Sequence, residues 1–457
     1  MSARPIISGA AILVLLGTGI ALLLERPGAP DDDRPNVILI ISDDQRADTM
    51  TAMPKLVSFM QQGTTYTNAF VTTPLCCPSR SSILTGLYAH NHGVKGNRKP
   101  YGFSAFEDSS TLATWLHHAG YRTGLIGKYL NDYDRDDADY APPGWDVFEA
   151  FIDMPGYTEY SLTHHVDGNY QGITAEAGYS TDKLTDDAKD FIASADDQAF
   201  FLMFTPYAPH QPATPPSDYQ GTTSFEDLPS YNEADVSDKS TVMASLPLLS
   251  EKDARDIVRL KRGTYGALLA LDENLKELFD SLESLGELDN TVIIYMGDNG
   301  VQWGEHRLPF GKAAPYEESI HVPLLVYDGR NPEGKSDDRF ALNIDLAPTI
   351  ADLVNVTTPA LDGRSLFDAG AWRRAFLTEA WGGEDVQPFT SVRSTDAMYV
   401  KYADGTEEFY DLANDPHELT NVATAPDLQA AKERFVELLK QLTVCKGEEC
   451  QVTEDVL

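Results

Sequence analysis

The chain has 457 residues, of which 42% are hydrophobic, enough for a large folded core. Its 71 acidic residues outnumber its 35 basic residues, which gives a formal net charge of -36. This charge argues against a nucleic-acid partner, because a phosphate backbone needs a basic surface. It also means that a site for an anion must reverse the sign of the charge locally.

The N-terminal segment predicts export. Arg4 precedes nineteen residues without charge, 6–24, and charged residues and prolines follow them. The uncharged stretch is as long as a membrane-spanning helix and ends without an Ala-x-Ala cleavage site, which favours an uncleaved anchor over a removed signal peptide. We therefore expect residues 1–35 to be a signal peptide or membrane anchor with its linker. The rest of the protein should then be extracellular or face outwards, in contact with the membrane only through this segment.

Residues 36–375 alternate short apolar runs with longer helical patterns. This order predicts an α/β fold with a large, mostly parallel sheet flanked by helices. The first run, Asn36–Ile41, is a continuous stretch dominated by β-branched residues, which is typical of a strand that is buried on both faces.

The stretch Pro74–Gly86, PLCCPSRSSILTG, places two of the four cysteines side by side. Pro78 suits the first turn of a helix that ends near Gly86. Free N–H groups at such a helix start form an anion site, and Arg80 adds a planar fork of donors that fits oxyanions. On this evidence alone, the cysteines could equally be small buried core residues.

Polar residues follow four of the predicted strands. The carboxyl ends of parallel strands lie at one edge of a sheet, so these side chains can converge there. One polar residue after a strand is usually a turn former or a helix cap, but two strand ends with a pair of oxygen ligands each indicate a hard-cation site. Such a site favours Ca²⁺ or Mg²⁺ over zinc. The residues concerned are Asp43 and Asp44, Lys128, His210, and Asp298 and Asn299.

Two later parts of the chain depart from this alternation of apolar runs and helical patterns. Residues 208–253 are rich in proline, serine and acids, which is typical of a loop that shapes a binding site or is disordered. After about Phe376, short strands precede a final helix, which predicts a small antiparallel sheet with one helix. We therefore expect a main domain over 36–375 and a small α+β subdomain over 376–457. Cys445 and Cys450 should form a disulfide in an oxidising compartment.

Cys76–Arg80 reads Cys-x-Pro-Ser-Arg and is followed by SSILTG, which resembles the signature of the sulfatase family. In that family the cysteine is oxidised after synthesis to formylglycine, whose hydrate is the nucleophile, so Cys77 would be the unspecified residue. Further stretches resemble later landmarks of the family, so the resemblance runs from about Asn36 to Asn421 and implies an alkaline-phosphatase-like fold. These stretches are GYRTGLIGKYL at 120–130, residues 297–326, residues 343–353 and residues 407–421.

The resemblance implies a role for each candidate residue. Cys76 becomes the nucleophile, and Arg80 steadies the formylglycine and the charge on the metal side. Lys128, His210 and Lys312 contact the sulfate or handle the leaving oxygen. A formylglycine-generating enzyme is the implied maturation partner. The implied cofactor is Ca²⁺, with Mg²⁺ as the alternative, and its implied ligands are Asp43, Asp44, Asp298 and Asn299.

One position departs from the pattern of many sulfatases. They have a histidine two residues after the lysine of the second signature, where this chain has Leu130, followed by Asn131 and Asp132. This variant resembles the branch of the N-acetylglucosamine-6-sulfatases and extracellular endosulfatases. It therefore implies a sulfated amino sugar or glycan as the substrate.

Two alternatives stay open. One is a phosphoester or phosphonate ester hydrolase of the same superfamily, because sulfate and phosphate esters are close in shape. The other is a non-catalytic surface protein that binds sulfated glycans and whose Cys76 is never converted.

Overall fold

The computed structural model describes residues 34–153, 155–196, 198–219, 225–382 and 386–453. The expected signal or anchor segment lies outside the described residues, apart from Arg34 and Pro35. Within the part that is described, no helix has both the length and the apolar character needed to cross a membrane.

A large mixed sheet carries the fold, and a small separate sheet lies near the C-terminus. The strands of the described residues are β1 (Asn36–Ser42), β2 (Thr64–Tyr66), β3 (Ala69–Phe70), β4 (Arg122–Gly127), β5 (Val147–Ile152), β6 (Glu159–Val166), β7 (Asn169–Ala177), β8 (Phe200–Thr205), β9 (Thr291–Gly297), β10 (Leu324–Asp328), β11 (Lys335–Asp337), β12 (Ala341–Leu342), β13 (Ala375–Ala380), β14 (Phe389–Ser394), β15 (Ala397–Tyr402) and β16 (Glu407–Asp411).

The large sheet has ten strands in the order β11-β2-β10-β9-β1-β8-β4-β5-β6-β7. Its centre, from β9 to β5, is parallel, as the sequence predicts. Alternate residues of β1 pack into two hydrophobic clusters on opposite faces, with Leu39 in one cluster and Ile38 and Ile40 in the other. A strand that is buried on both faces needs apolar side chains at every position, which explains the unbroken β-branched run.

Helices cover both faces of the sheet. They are α1 (Pro54–Met60), α2 (Cys76–Thr85), α3 (Ala89–His92), α4 (Leu112–His118), α5 (Ser180–Ala193), α6 (Thr241–Ala244), α7 (Glu251–Leu285), α8 (Glu317–Ile320), α9 (Leu346–Leu353) and α10 (Gln429–Leu442). The longest, α7, begins with a capping box between Ser250 and Asp253 and ends at Gly286, whose φ is 79°. These are the polar cap and the left-handed glycine that a helix of this kind requires.

The small sheet is antiparallel, with the order β13-β14-β15-β16, and α10 packs on it through Phe435, Leu439 and Leu442. This arrangement confirms the predicted C-terminal sheet and helix. Cys445 and Cys450 form the expected disulfide. The proposed boundary near residue 375 stays a prediction.

Antiparallel pairs lie towards the two edges of the large sheet, which agrees with a sheet that is mostly, and not wholly, parallel. The β6–β7 hairpin on one side and β10 on the other side pair antiparallel with their neighbours. On the second side, β10 begins at Leu324. Pro323 has no N–H to donate to a ladder, which explains why the strand starts after it.

Candidate active site

The ends of the central strands bring the predicted acids together. Ser42 and Gly297 are paired at the ends of the parallel neighbours β1 and β9, so the residues that follow each strand are adjacent. The Asp44 N–H donates to Oδ1 of Asp298 at 2.9 Å, and Nδ2 of Asn299 donates to Oδ1 of Asp44 at 2.7 Å. Both acids and the amide are buried.

The predicted anion-binding helix is α2, and Pro78 lies in its first turn as expected. Cys76 is its first residue, and Leu75 before it is extended. Pro78 lies within the first turn, where its missing N–H leaves no bond unmade. The helix ends at Gly86, whose φ of 69° is left-handed. All of its side chains are buried, which fixes the helix start against the ends of the strands.

Cys76 lies at the centre of the site. Its Sγ is 3.6 Å from Oδ1 of both Asp43 and Asp44, and the Lys312 ammonium donates to it at 2.8 Å. Burial, together with the nearby acids, raises the pKa of the thiol to about 12 against the opposing effect of the lysines, so the thiol keeps its proton at neutral pH. Cys77 instead faces the backbone, where its thiol donates to the carbonyl of Asn131 at 3.5 Å.

Arg80 ties the helix to two strand ends. Its Nε donates to Oδ2 of Asp298 at 2.8 Å, and its Nη1 donates to the carbonyl of Lys128 at 2.8 Å. Its Nη2 is buried without a hydrogen-bond partner, 4.0 Å from Oδ2 of Asp43. A guanidinium N–H that is buried and unpaired is available to an oxygen that enters the site.

Two ammonium groups pair with the two neighbouring aspartates. Lys128 donates to Oδ2 of Asp43 at 2.7 Å, and Lys312 contacts both carboxylate oxygens of Asp44 at 2.7 and 2.9 Å. Burial would raise the pKa values of both carboxyls, but the nearby cations outweigh burial and hold them below their usual range. All four groups are therefore charged at neutral pH.

His210 approaches the same acids from the loop after β8. Its Nε2 is 3.4 Å from Oδ2 of Asp44, and its Nδ1 is 2.6 Å from the carbonyl of Gln211. A carbonyl can only accept a hydrogen bond, so Nδ1 carries a proton and donates to the carbonyl of Gln211. The other ring nitrogen, Nε2, faces the site. The ligand atoms of Asp43, Asp44, Cys76 and His210 all lie within 4.8 Å of one another.

The acids and the amide fit a hard cation. The Oδ1 of Asn299 is buried and accepts no hydrogen bond, while its Nδ2 donates to Asp44. An orphaned amide oxygen of this kind is costly unless a cation or a water completes it. Three carboxylates and three cations, Arg80, Lys128 and Lys312, already balance one another. A bound divalent ion would therefore leave the site with a surplus of two positive charges, which suits an incoming anion.

Leu130 does not reach this cluster. Its side chain packs in the hydrophobic core. Among the described residues, His210 is the histidine whose ring contacts a site aspartate, Asp44.

Sequence reasoning missed the residues around the mouth of the site. Oδ1 of Asn97 accepts from the N–H of Cys77 at 3.0 Å and so caps the start of α2. A cavity of about 820 Å³ opens above Lys312, and Lys95, Arg98 and Trp381 line part of its wall. The only signal for these residues was the basic run 95–99, directly after the signature helix. Trp381 follows β13, so the small C-terminal sheet supplies one wall of the cavity.

The chain is similar to known sulfatases along most of its length. The profile of the sulfatase family matches residues 35–356, and that of the N-sulphoglucosamine sulphohydrolase C-terminal region matches residues 304–445. N-acetylglucosamine-6-sulfatase of Homo sapiens is 29% identical over 504 aligned positions, which cover 98% of this chain and 91% of the relative. A Sulf-1 homologue of Caenorhabditis elegans is 34% identical over 359 positions, or 75% of this chain.

Length and fold complete the comparison. This chain spans 50% of the Caenorhabditis elegans relative and 32% of an extracellular sulfatase of Drosophila melanogaster. A solved structure of a protein bound to its substrate, D-glucosamine-2-N,6-O-disulfate, superposes with a TM-score of 0.78. That match has 23% sequence identity and covers 89% of this chain and 97% of the other, so it establishes a shared fold.

Proposed function

Because this chain belongs to the sulfatase family, in the branch of the N-acetylglucosamine-6-sulfatases and extracellular sulfatases, we propose that it hydrolyses the sulfate ester of a sulfated sugar or glycan. The observation that carries this proposal is the position of Cys76. It is the first residue of a buried helix, 2.8 Å from the Lys312 ammonium and 3.6 Å from two aspartates.

The nucleophile is the hydrate of a formylglycine made from Cys76 by a formylglycine-generating enzyme. The Cys-x-Pro-Ser-Arg spacing supports Cys76 as the converted residue. Its contacts support the same choice, since Cys76 faces the charged cluster while Cys77 faces the carbonyl of Asn131. A hydrate has two hydroxyl groups, one to attack sulfur and one to release the product.

Asp43, Asp44, Asp298 and Asn299 would hold the cation, with Ca²⁺ favoured by an all-oxygen ligand set and Mg²⁺ as the alternative. When bound, the ion supplies positive charge that draws electron density from a sulfate oxygen. The orphaned Oδ1 of Asn299 and the three buried carboxylates support this assignment.

The side chains then divide the reaction between them. One hydroxyl of the hydrate attacks sulfur while Lys128, Lys312 and the unpaired N–H of Arg80 stabilise charge on the sulfate oxygens. His210 or Lys312 gives a proton to the ester oxygen as its bond to sulfur breaks, which releases the alcohol, and the proton that the attacking hydroxyl loses restores this donor. The proton of the second hydroxyl then leaves with the sulfate as the carbon–oxygen bond to sulfate breaks, which restores the aldehyde. Addition of water to the aldehyde forms the hydrate again.

The substrate is a sulfated amino sugar or a glycan that contains one. The family branch supports this class, and so does the cavity above Lys312. Lys95 and Arg98 offer positive charge there, and Tyr101 and Trp381 offer aromatic surface for a sugar ring. We also propose that the protein is exported. The N-terminal segment, the Cys445–Cys450 disulfide and the extracellular relatives support that location.

The test is to produce the protein with and without a formylglycine-generating enzyme and to compare turnover of 4-nitrophenyl sulfate, N-acetylglucosamine-6-sulfate, 4-nitrophenyl phosphate and an aryl phosphonate ester. We expect both sulfate esters to turn over faster than the phosphorus esters, and only after co-expression. A preference for the phosphate or phosphonate ester would identify the protein as a hydrolase of that class. Absence of formylglycine at Cys76, together with binding of sulfated glycan, would identify a non-catalytic protein.

A further inference from the structure

Basic residues are scarce in this chain, and two groups of them lie beside the site. The run 94–99, VKGNRK, has three basic residues and no acid. The first part of α7, Glu251–Arg262, has five basic residues against three acids in a chain whose formal net charge is -36. The chemical steps proposed above use neither group; only Lys95 and Arg98 already have a role, in binding the substrate.

Two cavities connect these groups to the site. The first, of about 820 Å³, lies above Lys312, and the second, of about 1280 Å³, lies along the N-terminal part of α7. Gln211 and Phe310 line both cavities. Gln211 follows His210, and Phe310 is two residues before Lys312, so the junction of the cavities lies at the site. A cavity of roughly 300–1,000 Å³ already holds a small ligand, so the two together offer room for several sugar units.

The linings of the two cavities reverse the charge balance of the chain. Lys95, Arg98, Lys99 and Lys312 line the first, with no acid among its described lining residues. Arg255, Arg259 and Arg262 line the second, together with Asp253 and Asp256. Seven basic and two acidic residues therefore face the combined space, whereas acids outnumber bases twofold over the whole chain. Such a local excess of positive charge attracts anions, although the rest of the molecule repels them.

The three arginines lie on one face of α7, at spacings of four and three residues. Arg255 pairs with Glu251 at 3.6 Å and Arg259 with Asp256 at 3.0 Å, but both guanidinium groups are more than two-thirds exposed. Exposed pairs along a helix contribute little, so an anionic ligand can take over these arginines at small cost. Lys99 is half exposed and pairs with Asp134 at 3.3 Å, so the same holds there.

Apolar surface runs along the same path. Tyr101 and Trp381 in the first cavity and Val258 in the second are 56%, 37% and 39% exposed. Large apolar side chains that stay exposed next to a cavity indicate a ligand surface. Aromatic rings combined with positive charge suit sugar rings that carry sulfate or carboxylate groups.

We propose that the two cavities form one groove that binds an anionic oligosaccharide across the site, so that the protein removes sulfate from sugars within a chain as well as from its end. The inference rests on the proposed sulfatase function and adds the form of the substrate. Arg255, Arg259 and Arg262 bind the part of the oligosaccharide beyond Gln211, and Arg98 and Trp381 bind the part above Lys312.

The test compares size-fractionated heparin disaccharides and octasaccharides, with released sulfate measured by ion chromatography. For the converted enzyme, we expect kcat/KM per ester to be about tenfold higher on the octasaccharide, a difference of about 1.4 kcal/mol. Added NaCl should lower this advantage, because it screens exposed charge. The variant Arg255→Ala/Arg259→Ala/Arg262→Ala should bring the ratio close to one. The matched control is Lys276→Ala/Lys335→Ala/Lys440→Ala, which removes three exposed positive charges away from the groove and should keep the wild-type ratio.

The proposed groove would be wrong if the wild type had equal kcat/KM on the disaccharide and the octasaccharide. It would also be wrong if the arginine variant kept the wild-type ratio of these two values. Arg262→Gln alone, with thermal melting as the fold control, replaces the triple variant if that does not fold. If no sulfate ester is hydrolysed, the proposed function fails, and calorimetry with Cys76→Ala then tests the groove alone. We expect tighter binding of the octasaccharide than of the disaccharide. Equal binding of the two lengths, or equally good competition by an octanucleotide, would overturn the assignment.

Discussion

Lys312 makes three contacts at the base of the site, two with Asp44 and one with Cys76. Burial lowers the pKa of Lys312, but Asp44 and other nearby acids outweigh burial and hold this pKa well above its usual range, so Lys312 is positively charged at neutral pH before the reaction. If that charge stabilises sulfate oxygens mainly in the transition state, its removal lowers kcat and not only affinity.

We therefore expect Lys312→Ala to lower kcat about a hundredfold or more, the usual effect of losing one preorganised oxyanion donor. Turnover of 4-nitrophenyl sulfate at saturation measures it, after mass spectrometry has established formylglycine at Cys76. Lys276→Ala is the control, because Lys276 is 51% exposed and pairs with Asp280 one turn away on α7. A loss below about fivefold would remove Lys312 from the catalytic machinery.

The adjacent cysteines make a second comparison at the scale of single residues. Cys76→Ala should abolish sulfate ester hydrolysis, because no formylglycine can form. Cys77→Ala should retain most of it, since the Cys77 thiol donates to a backbone carbonyl outside the charged cluster. Both side chains are buried, so the two variants remove equal volume from the core. Equal loss of turnover in two equally folded variants would show that position 76 has no special role.

The sequence predicted the site residues that stand directly after a buried strand or inside the signature helix. Asp43, Asp298 and Lys128 are of this kind, because the edge of a parallel sheet fixes where they lie. Asn97 and Gln211 were not found, since each acts from a loop whose path depends on packing elsewhere.

At the scale of elements, the end of β4 sets the position of Lys128. Gly127 has a φ of 120°, and a Cβ there would lie 2.1 Å from the carbonyl oxygen of Thr205 on β8. That same oxygen accepts from the N–H of Lys128 at 2.7 Å. The glycine therefore allows the close approach of the two strands that aims Lys128 at Asp43.

Gly127→Ala should destabilise the protein and lower kcat together, because the strands must separate and Lys128 must move. Gly120→Ala is the matched control. Its φ of 83° is also positive, but the nearest atom to a new Cβ would be 3.8 Å away. In the control, backbone strain alone should lower the free energy of unfolding by about 1–2 kcal/mol, and kcat should be unchanged. Urea unfolding and steady-state kinetics measure both quantities, and equal effects of the two substitutions would rule out the steric explanation.

The elements themselves were predictable where burial dictates the residues. The runs that became β1, β8 and β9 are apolar throughout except at their ends, a pattern typical of strands buried on both faces. The β6–β7 hairpin was missed because its outer strand is largely exposed and reads as polar. Exposed edge strands carry little hydrophobic pattern, so pairing with the sheet, which the sequence does not display, decides their structure.

At the scale of the whole molecule, the formal net charge of -36 affects both stability and metal binding. Any salt raises stability by screening the repulsion between carboxylates. An ion that binds specifically raises stability further, by RT ln(1 + [L]/Kd), where [L] is its free concentration and Kd its dissociation constant. This contribution reaches about 4 kcal/mol when [L] is a thousand times Kd. The proposed groove joins the run 94–99 to the first part of α7, which are far apart in the chain, and this is the feature that the sequence could least reveal.

These two effects separate in one experiment. We expect CaCl₂ to raise the melting temperature of the chelator-treated protein more than NaCl does at the same ionic strength. This additional rise in melting temperature with CaCl₂ should be smaller in Asp298→Asn, which removes one charge from the proposed ligand set while keeping its shape. Asp280→Asn is the control, because Asp280 is 56% exposed and lies on α7, away from the site. The melting temperature does not depend on turnover, so it reports binding even in protein whose Cys76 is unconverted. If NaCl matched CaCl₂, or if Asp298→Asn kept the full additional rise, the stabilisation would belong to the overall charge and not to a cation between β1 and β9.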